Sequence, residues 1–504
     1  MSQRKLFFKN TFYNVFFLVI TQLLNLFILP LFINNIGAEL YGIWILSNII
    51  IGYMGVLDFG FGIGVQKYLS KAYIGNQKLY FNQVFSTGIA LHLFIGILIA
   101  ILVVYFNHNI VSFFNIEATL LVQAQQVLLI AGIFSVLIWP MKMVSSVFPA
   151  ILDYKLDSKL KAYVSFTKTL VLLLSVYISL DIVTIALIYN MVGVLMWLPT
   201  IFSVRKSVNY IQCKFSFVRK SVFKEIFSFS MGMFFLQLMR MLSVQLDNLI
   251  IGRLLSVREV SHYKITSTPF IMSESFLGMI SGVIMPTIFA ADANNNRALI
   301  NRMAIIGVKY FAICSVPMAL AGIVLTKPFF LLWVGSEYTN LVVWAQIYML
   351  IYIIAPGFGV ISNIVFALGH TKKVNSYFML SVIINVTLSI LLIPKYGIGG
   401  PILGTLISSI TVTIPSFFHY CKILNLHWRD MFFTSYKIVL ASTPLFLLLY
   451  TVSNFYLDFN NWMSFILFAA LSLTCLLLPM FFFLEIEEKK KIKLLLGSLK
   501  LNRN

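Results

Sequence analysis

The sequence is poor in charge. Of its 504 residues only 11% are Asp, Glu, Lys or Arg, and just 17 are acidic. A soluble domain carries about one quarter charged residues, so no aqueous globular protein can be built from this composition. Cysteine is scarce as well. Cys213, Cys314, Cys421 and Cys475 are scattered, without a C-x-x-C pair or a histidine at ligand spacing, which leaves no disulfide framework and no metal site. Neither an Asp-x-Asp motif nor a phosphate-cradling Gly-rich loop ending in Lys-Ser/Thr occurs. The chain therefore reads as a non-enzyme without a cofactor.

What is abundant is apolar surface. Hydrophobic residues make up 60%, with 47 Phe, 23 Tyr and 7 Trp, and mean hydropathy is +0.92. Aromatics on this scale suit lipid contact and interfacial anchoring. The apolar runs are continuous and do not alternate at period two, which excludes a transmembrane β-barrel. Runs near 10–33, 41–66, 80–106, 118–150, 161–180 and 182–204 are followed by a polar stretch, 205–224. Further runs lie near 225–251, 259–290, 303–327, 340–369, 374–393, 399–420, 431–452 and 461–484. At ~20 residues per crossing, the expectation is an all-α polytopic membrane protein of about 14 transmembrane helices.

Net charge is +20. On a soluble chain that would point to nucleic acid, but here the cations sit in loops between apolar runs, facing anionic membrane lipids. If the N-terminus is inside, the inner loops and tails hold 27 Lys/Arg, the outer loops four, and six fall within spans. That asymmetry predicts that both termini are cytoplasmic. Arg4, Lys5 and Lys9 precede the first run without a small-residue cleavage site, so it reads as an uncleaved span. The expected organisation is 6 + 6 + 2. An N-terminal six-helix bundle (1–204) leads through a cytoplasmic basic linker (205–224) to a C-terminal six-helix bundle (225–420). Two extra helices (421–484) and a basic cytoplasmic tail (485–504) follow. Two bundles of this kind rock about a central cavity.

Three segments carry a family pattern: NNIGAELYGIWIL (34–46), LDFGFGIGVQKYLSKAYIGN (57–76) and QLDNLIIGRLLSVREVSHYKI (245–265). They resemble polysaccharide flippases of the multidrug/oligosaccharidyl-lipid/polysaccharide exporter superfamily, the O-antigen and capsule repeat-unit type. The resemblance implies a flippase that moves undecaprenyl-pyrophosphate-linked oligosaccharide from the inner to the outer leaflet of the bacterial cytoplasmic membrane by alternating access. A repeat-unit polymerase is the implied pathway partner. The alternatives are a multidrug cation exporter of the same superfamily, a lipid-linked peptidoglycan-precursor flippase and, from another class, a membrane glycan polymerase. The polymerase reading fits poorly, because every outer loop is short.

The residues themselves nominate sites. Glycines from Gly37 to Gly64 permit close helix approach and bending, and Asp58 beside Gly60 marks a hinge or gate. Pro356, opening Pro-Gly-Phe-Gly, marks a second. Ionisable groups at membrane depth are functional candidates. Lys142 follows Trp139-Pro140. Arg240 and Asp247 are seven residues apart, near one helical face. Lys264 and Glu274 lie on the following span at comparable depths, so Asp247 is expected to meet Lys264, and Arg240 to meet Glu274 or an anionic substrate. Arg240, Lys264 and Lys142 are the candidate phosphate contacts, and Glu274 and Asp247 the ion-pair or coupling residues. Asn14 and Asn25 share a face of the first span with Thr21 and could bond sugar hydroxyls. Lys168 and Lys309, near inner span ends, are expected to snorkel.

Overall fold

The computed structural model describes Leu24, residues 26–54, Asp58, residues 60–455, Leu457, Phe459 and residues 461–483. Asn14, Thr21, Asn25 and the tail 485–504 lie outside the described residues. So does the side chain of Arg240.

The chain divides into two compact units, Met1–Tyr263 and Lys264–Asn504. In the first, helices run in the order α1 (Leu26–Ile36), α2 (Ala38–Met54), α3 (Phe61–Ile74), α4 (Lys78–Phe113), α5 (Leu121–Ser145), α6 (Tyr154–Tyr177), α7 (Ile182–Leu195), α8 (Leu198–Ser207) and α9 (Lys220–Leu254). The boundary falls inside α10 (Val257–Ala293). The second unit continues with α11 (Arg297–Trp333), α12 (Val342–Met349), α13 (Gly359–Ala367), α14 (Thr371–Tyr396), α15 (Gly399–Ser408), α16 (Ile414–Ile423), α17 (Trp428–Phe455) and α18 (Trp462–Leu477).

Ten described stretches are long and apolar enough to cross a membrane. The protein is an all-α, multi-pass membrane protein. Its outward faces are greasy: Leu391, Phe202, Leu440 and Leu467 are each about two-thirds exposed, which water would not tolerate in a contiguous band. At ~1.5 Å per residue, the 36 residues of α4 outrun a ~30 Å hydrocarbon core by several turns.

Helix ends are set by local chemistry. Asp181 caps α7 by accepting from the Val183 and Thr184 amides, both at 3.0 Å, and Asn296 caps α11 through Leu299 N at 3.0 Å. The turn at Asp181 therefore separates the fifth and sixth apolar runs as expected. The run 41–66 is not one helix, however. It breaks between α2 and α3, where Gly60 takes φ 75°, a left-handed conformation that only glycine adopts cheaply. The run 340–369 breaks likewise. Ala355 to Phe358 form a turn with Gly357 at φ 78°, and the Tyr436 hydroxyl donates to the Ile354 carbonyl that the break exposes. Phe358 stacks on Phe417 at 4.1 Å centroid spacing, so this turn is a packed part of the core. Hydropathy cannot see either break, because a turn of apolar residues scores like a helix.

Backbone approach is close in both units. A Cβ on Gly96 would lie 2.7 Å from the Ser135 carbonyl, and one on Gly132 2.6 Å from Val103. These glycines bring α4 and α5 together, and Ser135 Oγ donates to Gly96 O at 2.9 Å. The basic linker is strapped to α4. Asn82 donates to Tyr210 O and accepts from Gln212 N, each at 3.0 Å, while the Lys214 and Arg219 amides donate to Ser86 and Thr87 at 3.2 Å.

Candidate functional site

In the first unit, the break between α2 and α3 places Asp58 beside α4. Asp58 Oδ1 lies 3.0 Å from His92 Nε2, and the His92 side chain is 4% exposed. The other ring nitrogen, Nδ1, lies 2.8 Å from the Gly88 carbonyl. His92 was not among the sequence candidates. Its signal was a lone imidazole inside an apolar run, and such a residue is read as a satisfied core group unless a partner is known.

Lys142 extends from α5 two residues after Pro140, with Nζ 4.3 Å from the centre of the Trp139 ring. It lies in electrostatic range of Asp58 and of Lys168 on α6. Lys168 does not snorkel to the surface. Its Nζ sits 3.9 Å over the Tyr189 ring, which Trp44 braces edge-on at 5.0 Å, and Gly193 leaves room for its stem, a Cβ there coming to 3.4 Å. Cations on aromatic faces are held with part of their hydration removed. A pair of them inside one unit makes a positive, aromatic-lined site suited to an anion.

Asp247 is buried on α9 and accepts from the Tyr263 hydroxyl at 2.8 Å. The sequence had nominated Lys264 for it; Tyr263, one residue earlier, is the contact seen within this unit. Lys264 opens the second unit, and its carbonyl takes the Thr268 hydroxyl at 2.6 Å. One turn on, Phe270 stacks on Tyr348 at 4.0 Å and 7°, and on Tyr352 at 5.2 Å. Glu274 is close enough to act electrostatically on Tyr352, whose buried hydroxyl has no hydrogen-bond partner among the described residues. Ser267 turns its hydroxyl back toward Lys264 O at 3.4 Å. Among the described residues no cluster of His, Cys, Asp or Glu is arranged to hold a metal.

Long apolar helices, with a charged interior in the first unit and an aromatic wall beside a carboxylate in the second, define a multi-pass helical membrane protein. The profile of the polysaccharide biosynthesis protein family matches residues 36–343, more than half of the chain, and the protein belongs to that family. No curated protein matches it by sequence. Among solved structures it is similar to the lipid II flippase MurJ in an inward closed conformation, with TM-score 0.71 and 18% identity over 92% of this chain and 98% of that one. It is also similar to a multidrug resistance MATE family transporter of the MOP superfamily. The inward-facing form gives TM-score 0.63 and 15% identity over 80% of this chain and 94% of that one. The outward-facing form gives 0.56 and 15% over 82% and 95%. At these identities the likeness is one of fold.

Proposed function

We propose that this protein is a flippase for a lipid-linked oligosaccharide joined through pyrophosphate. It carries an undecaprenyl-pyrophosphate repeat unit of a surface polysaccharide from the inner to the outer leaflet of the cytoplasmic membrane by alternating access. The observation that carries this reading is the pair Lys142 and Lys168, each laid on an aromatic ring inside the first unit. Membership in the polysaccharide biosynthesis protein family supports a glycan cargo. The fourteen-span, 6 + 6 + 2 arrangement with both termini cytoplasmic is part of this proposal. So is Arg240 as a further phosphate contact. The task needs no covalent step. A membrane potential positive outside favours outward passage of the anionic head group by ~2.3 kcal/mol per charge per 100 mV.

A second reading, with lipid II as cargo, is favoured by the likeness to the MurJ fold at TM-score 0.71. Both cargoes present pyrophosphate and sugar, so the same cations serve either. A multidrug cation exporter fits less well, because Lys142 and Lys168 would repel its cargo.

The test is complementation in two hosts. One lacks its repeat-unit flippase, and the other is depleted of its lipid II flippase. Restored surface glycan, with loss of the lipid-linked units accumulated inside, supports the first cargo. Restored growth of the second host supports lipid II. Failure in both, with the protein present in the membrane, overturns the flippase reading.

A further inference from the structure

The sequence of α4 carries its own depth scale. Residues 88–106, GIALHLFIGILIAILVVYF, are apolar apart from His92, and polar residues bound them at Ser86-Thr87 and at Asn107-His108-Asn109. At ~1.5 Å per residue this stretch spans ~28 Å, close to the ~30 Å thickness of a hydrocarbon core. Ser86 and Thr87 therefore mark one edge of the hydrocarbon. Asn82 lies about one turn beyond it, among the head groups.

The basic linker is fastened at that edge. Ser86 Oγ accepts from the Lys214 amide and Thr87 Oγ1 from the Arg219 amide, each at 3.2 Å. Ser86 Oγ also donates to Gln212 O at 3.4 Å, and the Tyr210 ring meets Phe81 edge-on at 5.6 Å. Between the two anchored amides the chain makes a single turn, Phe215–Phe217. Phe217 and Val218 are half-buried, whereas Phe215 is 90% exposed. A ring so bare lines no cavity and joins no core. It projects from the protein at the depth where head groups give way to acyl chains.

We propose that the linker is a membrane wedge: Phe215 enters the lipid of the inner leaflet, and Lys214, Arg219 and Lys220 hold the phosphates of anionic phospholipids around it. Residues 205–224 contain six cations and no acid, and these three cations are exposed. Glu225, the first acid beyond them, is engaged by the Tyr80 hydroxyl. A loop free in water would gain by folding Phe215 onto the protein. The anchors at Ser86 and Thr87 forgo that burial, and lipid replaces it. Aromatic rings favour this depth, and a cationic cluster beside them draws anionic lipid. Long basic side chains reach the phosphates while their stems lie along the acyl chains. The choice of inner leaflet rests on the proposed topology; the insertion itself does not.

The experiment uses the full-length protein in nanodiscs, with a reporter indole at position 215. Phe215→Trp keeps an aromatic ring at an exposed position, and Asn209→Trp, on the exposed start of the linker, is the water control. Each is read as the difference from the wild-type chain, which has 7 Trp. The added emission at 215 should be blue-shifted and quenched by lipids brominated high on the acyl chain. The added emission at 209 should be neither. Competition between brominated phosphatidylglycerol and brominated phosphatidylcholine then gives the preference for anionic lipid. It should be about fivefold for each cation engaged, fall with added salt and vanish in Lys214→Gln/Arg219→Gln/Lys220→Gln. Unquenched, water-like emission at 215 overturns the wedge. So does a blue shift that brominated lipid leaves unchanged, because a second copy or the protein itself would then cover the ring. Equal quenching by both lipids overturns the phosphate contacts. If thiol labelling places position 209 outside while the quenching at 215 holds, the topology fails and the wedge stands in the opposite leaflet.

Discussion

A Cβ placed on Gly42 would lie 1.8 Å from the carbonyl oxygen of Val257. These residues belong to two of the three segments that carry the family pattern, 34–46 and 245–265, more than two hundred positions apart. The contact is one of several in the same place. Ser261 Oγ donates to Ala38 O, and Arg258 Nε lies 3.5 Å from Glu39 Oε1. Asn115 and Arg253 fasten the end of α4 to the end of α9, through Leu255 O and Phe113 O. The glycine in the first segment exists for the backbone of the third.

Gly42→Ala should therefore weaken the first unit strongly, because the obstacle is a backbone oxygen that cannot rotate away. A loss of at least ~2 kcal/mol is expected, within the range for overpacking. It should be read as lower membrane yield and earlier thermal unfolding in detergent. Gly359→Ala, where a Cβ meets nothing within 4 Å, is the control. Equal behaviour of the two would refute the close approach.

Charge in the interior of the first unit should be needed for transport. Lys142→Gln and Lys168→Gln should each reduce export of lipid-linked glycan about tenfold or more while the protein stays in the membrane, if each supplies one charge-assisted contact. Lys168→Arg should retain most activity, since guanidinium also stacks on the Tyr189 ring. Wild-type export by the double Gln variant would show that the anion binds elsewhere.

Orientation can be read by cysteine labelling. Cys213 on the basic linker is exposed, so it is first replaced by serine. In that background Asn109→Cys should react with an impermeant reagent from outside, and Asn209→Cys only from inside. Asn107, nearby, is a poor reporter: it is 7% exposed and donates to Gln125 O at 3.0 Å. Labelling of position 109 from the inside alone would invert the topology.

The Asp181 cap should have a defined acid dependence. The Thr184 hydroxyl bond, with the Thr184 and Val183 amides, holds this carboxyl below the usual aspartate value. A lowered folded value means that the cap's contribution is fully present above the unfolded pKa, ~3.9, and is lost as pH falls through the folded one. The difference in thermal midpoint between wild type and Asp181→Ala, corresponding to about 1 kcal/mol, should thus be constant from pH 5 to 8. It should shrink only in stronger acid. A difference that grows on acidification would contradict the assignment.

Much of this protein follows from periodicity and charge alone. Apolar runs from 80 onward other than 340–369 fall largely in helices, since a membrane-length run has few alternatives to a helix, its backbone having no water to bond. Asp181 was legible as a turn because it stands between the runs 161–180 and 182–204; its role as a helix cap was not. Lys142 was legible because an ammonium at membrane depth is costly and therefore conspicuous. What the sequence could not determine was partnership. Nothing local to Asp58 shows that His92, 34 positions on, will face it, or that Tyr263 will take Asp247. Nor does any local signal show that Lys168 will leave the interface for the Tyr189 ring. Hydropathy also treats the turns at Gly60 and Gly357 as continuous helix, because a left-handed glycine changes direction without changing polarity. Span and class are properties of a residue and its near neighbours. The site is made by side chains far apart in the chain, and only helix packing, through glycines such as Gly42, Gly96 and Gly132, decides which of them meet.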